Sequence, residues 1–199
     1  MSTISAKMVM QLREKTGAGI MDCKGALTEC NGDIDNAVDY LRKKGLATAA
    51  KRAGRAMSEG IVETYIHMDS KLGVLVEVNC ETDFVAKNDD FKAFAKNIAM
   101  HIAATNPAGI LPEDVSEDII NKEKEIYRGQ VLEMGKPEKI ADKIVEGKLQ
   151  KYFKENCLMD QAYVRNPEMT IADLLNELIA KIGENISIKR FVRFKIGES

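Results

Sequence analysis

Along the N-terminal part of the chain, apolar side chains fall at helical spacing. Met8, Val9 and Leu12 form the stripe of a first helix that Ser5 can cap, and Thr16-Gly17-Ala18-Gly19 breaks it. Met21, Cys23, Ala26, Leu27 and Cys30 mark a second helix that ends at Asn31-Gly32. In a third, Ile34, Ala37, Val38 and Leu41 follow the i, i+3, i+4, i+7 rule, with Asp33 as cap and Lys43-Lys44-Gly45 as stop. Three short helices with tight turns predict a small bundle over residues 1–45, near the lower size limit for independent folding. Residues 46–57 are rich in Ala, Lys and Arg and poor in large apolar side chains, which predicts an exposed helical linker.

Beyond Ser58-Glu59-Gly60, read as a turn, the period changes. Ile61 to His67 predicts a strand, and Met68-Asp69-Ser70-Lys71 joins it to the apolar run Leu72 to Asn79 as a hairpin. Phe91, Phe94, Ala95, Ile98, Ala99 and Ile102 then mark one face of a long helix that Asn106-Pro107 ends. Glu113 to Met134 predicts a second, highly charged helix stopped by Gly135-Lys136-Pro137, and Ile140, Ile144, Val145 and Tyr152 mark a third. Cys157 to Pro167 reads as an irregular crossing. Thr170 with Asp173 suggests a capping box for a helix bearing Leu174, Leu175, Leu178, Ile179 and Ile182. Finally Ile186, Ile188, Val192, Phe194 and Ile196 alternate along a strand whose other face shows Lys189, Arg193 and Lys195. The expected class is α+β, with a three-stranded antiparallel sheet packed on helices over residues 58–199.

Composition narrows the function. The formal net charge of the 199 residues is -2, which argues against a dominant nucleic-acid-binding surface. The basic run Lys51-Arg52-Ala53-Gly54-Arg55 has no interleaved aromatics for base stacking and reads as a solvated linker face. No apolar run approaches a membrane span and no signal peptide stands at Met1, so a cytoplasmic location is expected. Cys23, Cys30, Cys80 and Cys157 form no Cys-x-x-Cys pair, so reduced thiols are expected rather than zinc or disulfides. Gly17-Ala18-Gly19 lacks a P-loop lysine, and Asp89-Asp90 reads as partners of a helix dipole rather than metal ligands. No cofactor is implied. His101, among Ile98, Ala99 and Ile102, reads as a core residue.

The most informative stretch is Asn79-Cys80-Glu81-Thr82-Asp83-Phe84-Val85-Ala86-Lys87-Asn88, where the apolar strand hands over to a helical pattern. By itself this is a strand-to-helix corner, with Asp83 as helix cap or first-turn residue and a buried Phe. The run also resembles a signature of the bacterial translation elongation factor Ts family. Leu12-Arg13-Glu14-Lys15-Thr16-Gly17-Ala18-Gly19-Ile20-Met21-Asp22-Cys23-Lys24 is similar to that family's other signature. Both stand in the family's order, and the likeness continues through Gly135-Lys136-Pro137, Val145-Glu146-Gly147-Lys148 and Gly183-Glu184-Asn185-Ile186-Ser187-Ile188.

The resemblance implies a guanine nucleotide exchange factor, not an enzyme, acting on elongation factor Tu in its GDP-bound and nucleotide-free states. It assigns Thr82, Asp83, Phe84 and Val85 to dislocation of the partner's magnesium, with Phe84 as wedge. It assigns the N-terminal bundle, of ubiquitin-associated type, to docking, with Leu12, Ile20 and Met21 on the matching motif. Family members often carry Met where Ile20 stands, a change that keeps apolar bulk. It also implies a short form, with one core subdomain, no long coiled-coil insertion between Ala104 and Gly135, and completion by a second copy.

Two other readings compete. One is an adaptor with a partner-binding bundle and a dimerisation domain. The other is a cysteine-dependent enzyme using Cys80 or Cys23, weakened by the lack of a histidine placed by sequence to activate either thiol. The apolar strand Leu72 to Val78 and the final strand together predict a sheet apolar on both faces, and hence a homodimer.

Overall fold

The computed structural model describes residues 4–67, 69–134 and 137–198. The N-terminal periodicity resolves into α1 (Ala6–Thr16), α2 (Ile20–Glu29) and α3 (Ile34–Arg52). Ser5 Oγ accepts from the Met8 amide and Asp33 from the Asn36 amide, so both expected caps form. Gly17 ends α1 with a φ of 65°, the left-handed geometry that glycine adopts without a Cβ clash. Val9, Leu12, Cys23, Ala26, Leu27 and Ala37 form one buried cluster, with Met8, Ile34, Val38 and Leu41 packed against it.

Lys43-Lys44-Gly45 is not a stop. α3 continues to Arg52, and Gly45 is buried in its interior. A Cβ at Gly45 would lie 3.3 Å from the Cβ of Ala180, so this glycine permits a close approach instead of ending the helix. That packing outweighs the roughly 1 kcal/mol by which glycine disfavours a helix interior. The expected exposed linker is correspondingly shorter, and Ala49 within it is buried.

Three strands, β1 (Glu59–Ile66), β2 (Leu72–Cys80) and β5 (Ile186–Lys195), form a sheet in the order β1-β2-β5. The His67 amide donates to the Leu72 carbonyl at 2.9 Å, closing the hairpin whose turn residue Met68 lies outside the described residues. The Ile196 amide donates to the Lys71 carbonyl at 2.9 Å, so the end of β5 runs beside the start of β2 in antiparallel sense. Gly60 is a strand residue, not a turn. Its φ is 153°, and a Cβ there would stand 2.3 Å from the carbonyl oxygen of Val78. On β2, Val74, Val76, Val78 and Cys80 are buried while Leu75 is exposed.

β5 departs from its simple alternation. Ile186 and Ile188 are buried, but Val192, Phe194 and Ile196, in phase with them, are exposed. Arg193 is instead the covered residue: its Nε donates to the Ala103 carbonyl at 3.4 Å and its guanidinium pairs with Glu198. The outer half of the strand thus turns its apolar side to solvent, and the satisfied guanidinium lies on the other.

The corner after β2 holds the short α4 (Asp83–Ala86), followed by α5 (Asp89–Thr105). Glu113 to Met134 is not one helix. Pro112–Asp114 is a 3-10 turn, Val115 is extended, and Ser116 caps α6 (Glu117–Glu133) through the Ile119 amide. In its expected stop, Gly135 and Lys136 lie outside the described residues. α7 (Glu138–Asn156) packs on α6, with Val131, Ala141 and Val145 in one buried cluster and the partly buried Tyr127 and Ile144 packed against it. The expected irregular crossing contains an antiparallel hairpin, β3 (Ala162–Tyr163) and β4 (Asn166–Thr170), pairing Ala162 with Thr170 and Tyr163 with Asn166. α8 (Ile171–Ile182) follows. The class is α+β, as expected.

The chain falls into two compact units. One comprises Met1–Glu63, Glu77–Ala95 and Asp173–Lys189; the other comprises Thr64–Val76, Lys96–Ala172 and Arg190–Ser199. No helix among the described residues is long and apolar enough to cross a membrane.

Candidate functional site

The corner Asn79–Asn88 is built by a strand end, a one-turn helix and a second cap. Thr82 is the N-cap of α4: its Oγ1 accepts from the Val85 amide at 3.4 Å. Asn88 plays the same part for α5, its Oδ1 accepting from the Asp90 amide at 2.8 Å. Asp83 is therefore a first-turn residue and not the cap. Its Oδ2 accepts from Lys87 Nζ at 2.7 Å, a hydrogen bond that holds its carboxyl below the usual carboxylate range. Both side chains are exposed, so the pair is weak and open to exchange.

Phe84 is not the buried aromatic of the plain strand-to-helix reading. It is 79% exposed, while Val85 at 5% and Ala86 at 8% anchor the turn from within. Phe91, at the start of α5, is fully buried. A large ring left in water on a turn anchored this way is an energetic liability for the isolated chain, and a usable anchor for a partner.

The corner is tied to the segment after α8. Glu184 accepts from Thr82 twice, from Oγ1 at 2.7 Å and from the amide at 3.1 Å. Glu81 accepts from the Asn185 amide at 2.6 Å and from Arg55 Nη1 at 3.3 Å. The Asn185 bond, then Arg55, lowers the Glu81 pKa. Asn185 Nδ2 also donates to the Arg55 carbonyl at 3.3 Å. Glu81 and Glu184 had no role in the sequence reading. Nothing local marks them, because the amides they accept lie 102 and 104 residues away in the chain.

Cys80 is buried, and its Sγ donates to the Thr82 carbonyl at 3.2 Å. Burial, aided by the Glu184 charge, pushes its pKa up to about 11, the reverse of what a nucleophilic thiol requires. Cys23 is buried and donates to the Ala18 carbonyl at 3.6 Å. Neither thiol has the setting of a catalyst.

Of the expected docking residues, Ile20 (49% exposed) and Met21 (76% exposed) lie on the surface at the start of α2. Leu12 is fully buried in the α1–α3 cluster, so its side chain offers no contact surface. It is the inner member of its helical stripe. The motif therefore mixes core and surface residues.

His101 is fully buried. Its Nε2 lies 2.9 Å from Gln161 Oε1, and its Nδ1 accepts from the Val164 amide at 3.3 Å. An acceptor role for Nδ1 places the proton of the neutral ring on Nε2, which donates to Gln161. Thr105 Oγ1 donates to the same Gln161 oxygen at 2.9 Å, and Gln161 Nε2 donates to the Glu155 carbonyl at 2.9 Å. The ring is a core connector between α5 and the β3–β4 hairpin. Among the described residues no group of three His, Cys, Asp or Glu side chains is arranged to hold a metal ion. Asp90, of the adjacent acidic pair, accepts from Lys181 Nζ at 2.7 Å.

Comparison with known proteins places this α+β chain among translation elongation factors. Residues 35–198 match the family model described as Elongation factor TS. The chain is 69% identical over 198 residues to the elongation factor Ts of Desulfosudis oleivorans, covering 100% of both chains. It is 61% identical over 195 residues to that of Caldanaerobacter subterraneus subsp. tengcongensis, covering 98% of each. It is 57% identical over 198 residues to that of Desulforamulus reducens, covering 100% of this chain and 91% of the relative. The chain belongs to the elongation factor Ts family.

Proposed function

We propose that the chain is a guanine nucleotide exchange factor for elongation factor Tu, acting by binding and not as an enzyme. The observation that carries this reading is Phe84: a fully presented ring on a turn whose neighbours Val85 and Ala86 are buried. An exchange factor must bind the nucleotide-free partner better than the nucleotide-bound one. Linkage then requires it to weaken nucleotide binding by the same factor. A rigidly held aromatic wedge supplies such a differential contact, since it fits only where partner elements have moved apart. Asp83, with only a surface partner in Lys87, can exchange that contact for groups around the partner's magnesium. Loss of magnesium leaves the phosphate charge under-compensated and favours GDP release, after which GTP enters.

The remaining roles follow the same reading. Residues 1–45, a bundle of ubiquitin-associated type, dock on the partner through Ile20 and Met21, while Leu12 holds the bundle's core. Residues 46–57, of which α3 takes those as far as Arg52, lead from the bundle into residues 58–199, the core and dimerisation domain. The protein works in the cytoplasm, as a homodimer, without direct contact to nucleic acid or membrane. The decisive experiment is release of labelled GDP from elongation factor Tu, with and without this protein. Acceleration at substoichiometric protein supports exchange; an unchanged release rate rejects it.

A further inference from the structure

Two glutamates that are distant in sequence clasp each other's neighbours. Glu81-Thr82 and Glu184-Asn185 are both Glu-Xaa pairs, and each carboxylate accepts the backbone amide of the residue following the other glutamate. Glu81 takes the Asn185 amide, and Glu184 takes the Thr82 amide. The Glu184 half goes further. Its second oxygen accepts the Thr82 hydroxyl at 2.7 Å, which fixes the direction of the only hydroxyl hydrogen. With that hydrogen committed, the Thr82 Oγ1 lone pairs face the Val85 amide and cap α4. Glu184 thus sets the rotamer of the residue that sets the first turn, and that turn carries Asp83 and Phe84. The half-clasp with Glu81 is backed by Arg55; the half with Glu184 joins directly to the presented turn.

We infer that Glu184 is a positioning residue for the exchange site, acting through Thr82 to hold α4 so that Phe84 is presented in one orientation. This rests on the exchange function proposed above. Glu184 does not touch the partner's nucleotide site in this scheme. It removes the conformational freedom that a one-turn helix would otherwise have to lose on binding.

The test uses the full chain and elongation factor Tu loaded with labelled GDP. E184A should lower the saturating release rate by roughly tenfold, with a smaller change in half-saturating concentration. In the Phe84→Ala background the same substitution should add little, because a residue that works through Phe84 has nothing left to position. E184Q keeps one acceptor oxygen and should retain activity between E184A and the unaltered chain. Amide hydrogen exchange at Val85 in the free protein should be faster in E184A, while the fully buried α5 amides stay protected. Full additivity of E184A with Phe84→Ala, or normal release despite faster exchange at Val85, would overturn the inference. A failure of the unaltered chain to accelerate release would overturn it together with the exchange reading, and that failure is visible before any variant is made.

Discussion

Phe84 and Val85 are neighbours in the chain with opposite surroundings, the ring in solvent and the isopropyl group in the core. The first prediction comes from that contrast. Phe84→Ala should leave the melting temperature nearly unchanged and slow catalysed GDP release by more than about tenfold, since an interface anchor can be worth about 2 kcal/mol or more. Val85→Ala should do the reverse, costing stability first. A Phe84→Ala protein that exchanges normally would reject the wedge.

The N-terminal motif divides in the same way. Met21→Ala should weaken binding to elongation factor Tu, measured by titration, without altering thermal unfolding. Leu12→Ala should destabilise the fold by about 2–5 kcal/mol, because it empties a fully buried position. Equal binding by Met21→Ala and the unaltered chain would remove α2 from the docking surface.

These two cases show how far the sequence could be read. Helices with repeated apolar stripes and polar caps, such as α1 and α5, were legible because 3.6-residue periodicity survives any tertiary setting. The corner at Thr82 was legible as a corner, yet local pattern cannot tell whether an aromatic after a cap turns inward or outward. Gly45 was misread as a stop because its purpose is contact with Ala180, and no local residue signals it. The β3–β4 hairpin escaped because two-residue and five-residue strands carry no alternation, and Pro167 within β4 argues for a loop. The Glu81–Glu184 clasp was invisible for the same reason as Gly45, since both partners of each bond must be known.

Gly60 supplies a sharp stability test. A methyl group there would meet the Val78 carbonyl in a backbone conformation that L-residues avoid. Gly60→Ala should therefore destabilise by about 1–3 kcal/mol. Gly129, within α6 with open space around its Cβ position, provides the opposite sign: Gly129→Ala should stabilise by about 0.5–1 kcal/mol. Chemical denaturation of both variants checks the pair.

His101 predicts acid sensitivity. Burial lowers its pKa below the ordinary 6.5, against a smaller opposing effect of the Gln161 hydrogen bond. Among the described residues the ring's bonded and stacked neighbours are Gln161, the Val164 amide and Tyr163, none of them a carboxylate that would stabilise the imidazolium. With a depressed folded-state value, the unfolded chain binds the proton first. The stabilisation is therefore complete above about pH 6.5 and is lost as pH falls from there towards the folded-state pKa. Melting temperature measured from about pH 7.5 to 5 should show that slope, and His101→Gln should flatten it. A parallel slope in the variant would assign the acid sensitivity to other groups.

The last prediction concerns the apolar side of the sheet. In the unit that contains Thr64–Val76 and Arg190–Ser199, Ile66, Leu75, Val192, Phe194 and Ile196 are all exposed. Ile66 lies over Gly73, where a Cβ would meet its Cδ1 at 3.0 Å, so the side chains spread across a glycine gap instead of standing apart. Arg193, the residue a solvated face would be expected to show, is turned to the other side and bonded to Ala103. A contiguous apolar face of this kind is rarely left in water, and a second copy related by a two-fold axis would cover it with its own equivalent face. The association should be indifferent to reducing agent, because Cys23, Cys80 and Cys157 are buried, the half-buried Cys30 ends α2 and not a strand, and no cysteine lies on β5. Sedimentation equilibrium at micromolar protein should give twice the chain mass. Phe194→Asp should give the monomer mass with an unchanged far-ultraviolet spectrum, since that ring is two-thirds exposed in the single chain. A monomer mass for the unaltered chain would reject the dimer, and a dimer that survives Phe194→Asp would move its interface off this face.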